Sequence, residues 1–379
     1  MSIFNFRKRP AGYGGEEKAE TYDFFEIAAF FRCDSHKQAL GELSEQTCSD
    51  LGLDDLFMFT DRTASRVGQQ YLYNLMRTIP AKEGEIKANE AIIEKFSADS
   101  GGHASVVKEL HTLQAVEAYS IAPLLQTEHP PVPAWWQFVL RVCSLLPTLF
   151  LLLFLFYKLV PALLLLVVAI LVNGVLHYRN KHNGLGYLVS MPQLMKMLDA
   201  AGKLAADPLL SAISKKVPEA LASLETLRRS SKSLRIESRL DNDLAVILWA
   251  ITEIIKIFFL IEPLSYNKTV RLLKDKNAAI ETVFRFIGLA DSLSSVAFLR
   301  KGLPSYCLPE QPDGEVRVEA DGTYHPLVEN CVPNAIGIQG RSVLFTGSNM
   351  SGKTTFIRTL GVNILVAQTL NTAFARRMR

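Results

Sequence analysis

The sequence predicts a multi-domain, mostly α-helical protein that contains a two-helix transmembrane hairpin and ends in the first part of an α/β phosphate-loop domain. Three observations support this fold class. Several long stretches carry apolar residues at helical spacing, residues 134–178 are almost uncharged, and a glycine-bounded loop lies near the C-terminus. The composition agrees, because 49% of the 379 residues are hydrophobic, which is a high share for a purely soluble protein.

The charge and cysteine content give no support to a strongly basic nucleic-acid-binding protein or to a zinc protein. The formal net charge of +3 is too small to indicate a nucleic-acid-binding protein by itself, so any basic surface would have to be local. The cysteines are odd in number, far apart and without a C-x-x-C pair, which predicts reduced thiols and argues against a zinc site. They are Cys33, Cys48, Cys143, Cys307 and Cys331.

The chain before the hairpin is predicted to be a disordered start followed by helices. Residues 1–20 mix charges with glycines and lack the apolar core of a secretory signal peptide. Residues 21–130 form a helical core segment in this prediction. Within it, Pro80 ends one helix and Glu85–Phe96 begins the next.

Residues 134–178 are predicted to form the transmembrane hairpin. Its two spans cover about 135–157 and 159–178, and each is close to the ~20 residues that cross a bilayer. A single lysine in the turn marks the far side of the membrane. Arg141 and Arg179 place the basic flanks on one side, which the positive-inside rule makes cytoplasmic. Both termini are therefore predicted to be cytoplasmic, and the lipid bilayer is a predicted partner.

Residues 179–303 are predicted to be a helical core and lever segment with a third apolar run, Leu244–Ile261. Glu253 and Lys256 interrupt this run, and a third crossing would place the C-terminal loop outside the cytosol. The run is therefore interpreted as an amphipathic or core helix lying against the membrane, with a third span as the alternative.

The same segment carries a basic cluster and a long helix. The cluster is interpreted as a solvated helix face offset by nearby glutamates, with contact to DNA phosphates or anionic lipid headgroups as the alternative. Ala279–Lys301 is predicted to be one helix with a sustained apolar stripe. The cluster consists of Arg228, Arg229, Lys232, Arg235 and Arg239.

Residues 304–379 are predicted to be the N-terminal part of a nucleotide-binding α/β domain. Gly347–Thr354 fit the pattern G-x-x-x-x-G-K-[ST], and the apolar run Ser342–Phe345 predicts a strand before the loop, with a helix after it. Backbone N–H groups of such a loop surround phosphate oxygens, Lys353 reaches the β- and γ-phosphates, and the Thr354 hydroxyl ligates Mg²⁺. The alternative is a glycine-rich turn that binds nothing.

The predicted cofactors are thus ATP and Mg²⁺, with Thr354 as the magnesium ligand, while the catalytic residues stay unknown. The predicted cofactor-binding residues are Gly347, Ser348, Asn349, Met350, Ser351, Gly352, Lys353, Thr354 and Thr355.

These residues resemble the MutS family of DNA mismatch-repair ATPases. Residues 346–355 are similar to that family's T-G-P-N-M-G-G-K-S-T, whose Asn-Met pair is uncommon among other phosphate-loop proteins. Tyr324–Glu329 and Val332–Asn334 resemble its R-H-P-x-x-E and F-V-P-N-D motifs, while Asp61–Pro80 and Leu289–Ala297 resemble parts of its core. The resemblance implies a MutS-like core, an ABC-type ATPase domain, DNA as a partner and a homodimer in the full-length form.

Three departures limit what the resemblance implies. Ser348, Ser351 and Thr354 replace Pro, Gly and Ser of the family loop, and Thr354 keeps the magnesium-binding hydroxyl. The chain before the core has no room for a mismatch-reading domain of about 100 residues, and the hairpin indicates a membrane-anchored branch. The chain ends after the loop helix and a short basic tail, so we expect either a truncated version of a longer protein or the product of a disrupted gene, which does not hydrolyse ATP by itself.

The leading functional hypothesis is a membrane-anchored, MutS-like protein that binds ATP through its phosphate loop and is linked to DNA binding and mismatch repair. The alternative is a membrane-tethered scaffold, switched by nucleotide, with a protein partner and no role on DNA. A transporter is a third hypothesis, but two short spans without polar pathway residues argue against it.

Overall fold

The computed structural model describes most of the chain and confirms that it is mainly helical with little sheet. Of the predicted disordered start, all but residues 18 and 20 lie outside this description. The residues described are 18, 20–34, 39–80, 83–125, 133–231, 252–261, 263–264, 270–271, 273, 275–310, 317–340, 342–348 and 352–379.

Contacts between residues divide the chain into two compact units. The first comprises the chain up to Ala122 together with Ala200–Val217 and Phe284–Arg379. The second comprises Pro123–Asp199 and Pro218–Val283.

The N-terminal part consists of short helices and one two-stranded ladder. The helices are α1 (Phe24–Ile27), α2 (Ala29–Cys33), α3 (Glu45–Leu51), α4 (Leu53–Thr60), α5 (Arg66–Arg77), α6 (Glu83–Ala98), α7 (Ser100–Leu110) and α8 (Ile121–Leu124), with 3₁₀ turns at His111–Leu113 and Val116–Ser120. The strands β1 (Ala39–Glu42) and β2 (Thr78–Pro80) pair antiparallel.

The helix predicted to end at Pro80 is α5, and it ends three residues earlier. Ser65 caps its start by accepting a hydrogen bond from the Gly68 N–H at 2.9 Å. Thr78–Pro80 are extended instead of helical, because a proline disfavours the helical conformation of the residue before it. The freed backbone groups pair with β1.

Helix α9 (Ala134–Tyr157) and helix α10 (Val160–Leu204) occupy the region of the predicted hairpin. Lys158 lies between them in the left-handed conformation, with φ of 50°, and ends α9 at the predicted turn. Helix α10 continues well beyond the predicted end of the second span. The insertion of these helices into a bilayer stays a prediction.

Helix α11 (Val217–Ser231) carries the part of the basic cluster that the structure describes. Arg228 Nη2 lies 2.6 Å from Asp199, and Arg229 Nε donates to Glu225 at 2.9 Å. Both arginines are therefore ion-paired, as the solvated-face interpretation predicts. Lys232, Arg235 and Arg239 lie outside the described residues.

Helix α12 (Asn277–Gly302) is the long helix predicted over Ala279–Lys301, and it is a core helix. Its Asp291 accepts from the N–H groups of Ala64 and Ser65 at 2.8 Å each and from the Ser65 hydroxyl at 2.5 Å. Burial raises the pKa of Asp291 to about 6, against the lowering effect of these three donors. Two segments that resemble the MutS family therefore contact each other here.

The C-terminal part contains an antiparallel sheet and a helix. Strands β3 (Arg317–Thr323), β4 (Asn334–Gln339) and β5 (Arg377–Met378) lie in the order β4-β3-β5, and helix α13 (Lys353–Leu370) precedes β5. The predicted basic tail is thus wrong in part. Arg377 and Met378 form a strand because the apolar Met378 side chain is 5% exposed among small buried residues.

Candidate phosphate-binding site

The approach to the predicted phosphate loop differs from the prediction. Residues 342–348 form no strand in the described part of the chain, and Leu344 is 86% exposed. A strand needs a neighbour to pair its backbone groups, and β3, β4 and β5 pair with one another instead. Phe345 is held by Phe356 of α13, with ring centroids 5.2 Å apart.

The second half of the loop has the geometry that the motif predicts. Gly352 has φ of 80°, a left-handed conformation that glycine adopts without strain, and α13 begins directly after it. Lys353 Nζ donates a hydrogen bond to the Gly347 carbonyl. The lysine side chain therefore links the end of the loop to its first glycine. Asn349, Met350 and Ser351 lie outside the described residues.

Helix α13 presents its N-terminus openly. Among the described residues no side chain caps it, and the first backbone hydrogen bond of the helix runs from the Phe356 N–H to the Gly352 carbonyl at 2.9 Å. Thr354 and Thr355 are exposed. Uncapped N–H groups and the helix dipole give this end a partial positive charge, which favours an anion.

The body of α13 is fixed by close packing on α3. A side chain at Gly361 would place its Cβ 2.6 Å from the Leu51 Cδ2 atom, so glycine permits this approach. Arg358 Nε donates to the Asp50 carbonyl at 2.7 Å, which satisfies a backbone acceptor near the end of α3.

The far end of α13 is held by a buried arginine that the sequence did not identify. Arg300 of α12 donates to both carboxylate oxygens of Glu90, at 2.5 and 2.9 Å. It also donates to Thr372 Oγ1 at 3.0 Å and to the Asn371 carbonyl at 3.0 Å. Bidentate pairing of this kind fixes orientation, so α13 is anchored at its C-terminus while its N-terminus stays accessible.

The motif Tyr324–Glu329 before the loop contacts α13 through the Tyr324 backbone. His325 is 1% exposed, and its N–H donates to Cys331 Sγ at 3.3 Å. Asn363 of α13 donates to the Tyr324 carbonyl at 3.3 Å, whereas Val332 is 73% exposed. The Tyr324 backbone therefore supports the loop helix, and Val332–Asn334 lie at the surface, where Asn334 begins β4.

The residues fit ATP and Mg²⁺ chemically. A phosphate at the start of α13 would meet backbone donors, the Lys353 ammonium group and the Thr354 hydroxyl. Among the described residues no group of three or more His, Cys, Asp or Glu side chains is placed to hold a metal ion. A magnesium ion at Thr354 would therefore be held mainly by the nucleotide phosphates and water, which is usual for this cation.

Comparison with known proteins relates about a quarter of the chain to the MutS family. The chain is 30% identical over 118 residues to the DNA mismatch repair protein MutS of Fusobacterium nucleatum, covering 28% of this chain and 13% of that protein. It is 34% identical over 107 residues to the endonuclease MutS2 of Thermus thermophilus, covering 27% and 14%. It is 33% identical over 112 residues to the DNA mismatch repair protein MSH2 of Arabidopsis thaliana, covering 27% and 12%.

These matches span only 12% to 14% of the length of the three relatives, so they show a relation and not a shared whole architecture. No protein-family model matches the chain.

Proposed function

We propose that this protein is a membrane-anchored member of a MutS-like branch that binds ATP and Mg²⁺ through Gly347–Thr355. The observation that carries the proposal is the Lys353 bond to the Gly347 carbonyl at the uncapped start of α13. It places a cation and a helix N-terminus at one point, which is the arrangement a triphosphate requires. In this proposal Lys353 binds the phosphates and Thr354 contributes a hydroxyl to the magnesium ion.

The membrane part of the proposal rests on exposed apolar surface. In the most apolar windows of Trp135–Tyr157 and Val160–Arg179, only 17% and 28% of the residues are buried. Leu164 and Phe156 are 69% and 78% exposed, and a surface of this kind is unfavourable in water. We propose that both helices cross the bilayer and that the two ends of the hairpin face the cytoplasm.

DNA is the partner that the relation to mismatch-repair proteins favours, and a homodimer is the assembly that we propose for the full-length form. The ion pairs of Arg228 with Asp199 and of Arg229 with Glu225 favour the second candidate, a nucleotide-switched scaffold with a protein partner. Paired arginines release fewer counterions from DNA phosphates than free ones.

Nucleotide binding is tested by Lys353→Ala in the full chain purified in detergent, with a fluorescent ATP analogue and Mg²⁺. Loss of a charge-assisted bond should weaken binding by about 10- to 100-fold. Lys203→Ala is the matched control, since the Lys203 side chain is 65% exposed and pairs only at the surface with Glu109. Equal affinity of Lys353→Ala and the unchanged chain would overturn the proposal.

The partner is tested by measuring duplex DNA binding by the same preparation across a salt series. A DNA-binding protein should lose affinity steeply as salt increases, because counterions compete for the phosphates. Absence of binding at low salt would remove DNA and leave the scaffold, with nucleotide binding unaffected.

A further inference from the structure

The helical residues 252–258 and the turn after them have an inverted polarity. Ile254 and Ile255 are 64% and 43% exposed, and Phe259 is 42% exposed. The charged side chains of Glu253 and Lys256 are turned inward, at 19% and 24% exposure. A helix at a water surface places its charges outward, so this segment is arranged for an apolar surrounding.

Asn173 ties this segment to both helices of the hairpin. It is 1% exposed, and its side-chain nitrogen donates to the Cys143 carbonyl at 3.1 Å and to the Phe258 carbonyl at 3.0 Å. The Cys143 carbonyl lacks a partner within α9, because residue 147 is a proline without an N–H group. The Phe258 carbonyl belongs to the last residue of the helical stretch 252–258, and carbonyls at helix ends need partners from outside the helix.

These two bonds have a special value where water is absent. An unsatisfied carbonyl in hydrocarbon is costly, and prolines inside membrane helices are tolerated when a neighbouring helix supplies the missing donor. Asn173 supplies one donor to each of two such carbonyls. One amide therefore satisfies a proline-broken position in α9 and the end of residues 252–258.

Contacts along the hairpin show the path of the segment. Glu253 lies 3.5 Å from His177 Nε2, close to the Arg179 end of the predicted span. Phe258 reaches Asn173, about one helical turn further toward the Lys158 turn.

The chain then returns toward the side from which it came. Leu260 has φ of 49°, a left-handed conformation that interrupts the helix. Arg271 donates to Gln137 at 3.3 Å, and Gln137 lies near the start of α9, the same end of the hairpin as Arg179. Glu253 before the turn and Arg271 after it thus both contact the same end of the hairpin.

We propose that residues 252–261 form a re-entrant element, which dips into the bilayer from the cytoplasmic side beside the hairpin and exposes Ile254, Ile255, Phe259 and Ile261 to lipid acyl chains. The proposal rests on the membrane anchoring proposed above. The seven helical residues 252–258 rise ~10 Å, about a third of a hydrocarbon core, which suits a re-entrant element and not a span. The number of full crossings stays two, so the phosphate loop keeps its cytoplasmic side.

Charge balance inside the element agrees with this placement. Glu253 lies 3.5 Å from both His177 Nε2 and Lys256 Nζ, so the carboxylate is not isolated. Ionisable groups in a membrane face the protein interior and associate with one another, as these groups do.

The test is cysteine accessibility in membrane vesicles, with the full chain and its native cysteines replaced by alanine. Single cysteines are placed at Ile254 and Ile261, at Leu164 as the hairpin control, and at Lys203 as the water-exposed control. A membrane-impermeant maleimide is added to either side. We expect labelling of Lys203→Cys from the cytoplasmic side and at least about tenfold slower labelling of the other three, because thiolates do not form in an apolar phase.

The outcomes separate this inference from the proposed anchor. Fast labelling of Leu164→Cys would overturn the anchor and the re-entrant element together. Protection of Leu164→Cys with fast labelling of Ile254→Cys would overturn the re-entrant element alone.

Two further outcomes also contradict the proposal. Labelling of Ile261→Cys from the far side would show a third span. Formation of a disulfide-linked dimer through Ile254→Cys would show that a second copy of the chain, and not lipid, covers this face. Slow labelling from both sides without a dimer supports the element.

Discussion

Three of the described helical segments have the length and apolar composition of a membrane span, and two of them, in α10 and α12, differ sharply in how far the protein buries them. In its most apolar window α12 is 78% buried, whereas the Val160–Arg179 part of α10 is 28% buried. A side chain at Gly288 of α12 would lie 2.4 Å from the Tyr71 Cβ atom, so protein covers this helix closely. Leu164 and Leu171 of α10 are 69% and 64% exposed.

The comparison teaches that composition indicates a need for an apolar surrounding but does not say what supplies it. The buried polar groups of the two helices differ in the same way. Asp291 of α12 accepts three hydrogen bonds at the start of α5, inside a core of protein. Asn173 of α10 donates to two backbone carbonyls, which under the proposed anchoring would otherwise meet hydrocarbon.

The largest effect is expected from removing the Asp291 carboxylate. Asp291→Ala leaves two N–H groups and the Ser65 hydroxyl without their acceptor and opens a cavity, so unfolding free energy should fall by about 3 kcal/mol or more. Asp291→Asn keeps the shape of the side chain and one acceptor oxygen, so its unfolding free energy should fall by less. Denaturant unfolding in detergent measures both, with the exposed Asp321→Ala as control. Equal stability of Asp291→Ala and Asp321→Ala would contradict the assigned role.

The next effect is a pH dependence of opposite sign at two buried groups. His103 lies between Phe96 and Phe298, and burial lowers its pKa to about 4. Its folded-state pKa is depressed, so its contribution to stability is present above pH ~6.5 and is lost as the pH falls towards 4. The pKa of Asp291 is raised to about 6 in the folded state. The folded protein therefore takes up this proton before the unfolded chain does, and stability increases as the pH falls through 6.

Variants that do not titrate separate the two groups. When the pH is lowered from 7 to 5, the unfolding free energy of His103→Gln should rise by about 2 kcal/mol relative to that of the unchanged chain. That of Asp291→Asn should fall by about 1 kcal/mol relative to the unchanged chain. The measurement is the unfolding free energy of each variant at several pH values. Parallel curves for the unchanged chain and either variant would show that the corresponding group does not titrate in this range.

The sequence predicted local features well and pairings between distant residues poorly. Periodicity and composition located α9, the start of α10 and α12, because those signals lie within each segment. The helix that begins after Gly352 followed from the loop motif. The strand predicted at Ser342–Phe345 was wrong, because a strand depends on neighbours that a local apolar run does not reveal.

Arg300, which anchors the loop helix, and Asn173, which links the hairpin helices, were missed for a similar reason. Arg300 contacts Glu90 and Thr372, which lie far from it in sequence. Asn173 is a lone polar residue in an apolar stretch, and this was the one available signal of its role. The sequence alone gave no means to connect it with Pro147.

The smallest effect, and the most specific, is a coupling between Pro147 and Asn173. Asn173→Leu should lower stability in detergent by about 1 kcal/mol, in the range measured for hydrogen bonds between membrane helices. Pro147→Ala returns an N–H group to α9, so the Cys143 carbonyl regains a partner within its own helix. In the Pro147→Ala background, Asn173→Leu should therefore lower the stability by less, because only the Phe258 carbonyl still depends on the Asn173 side chain.

A double-mutant cycle measures this difference directly. The control cycle uses Leu155→Ala in place of Pro147→Ala. Leu155 also lies in α9, and it is 60% exposed. The stability effects of substitutions at distant sites add within about 0.5 kcal/mol, so the control cycle should show no coupling. Coupling at Pro147 alone would establish that the amide substitutes for the proline's missing donor. Additivity in both cycles would mean that Asn173 acts only through Phe258, or that the Cys143 carbonyl finds another donor.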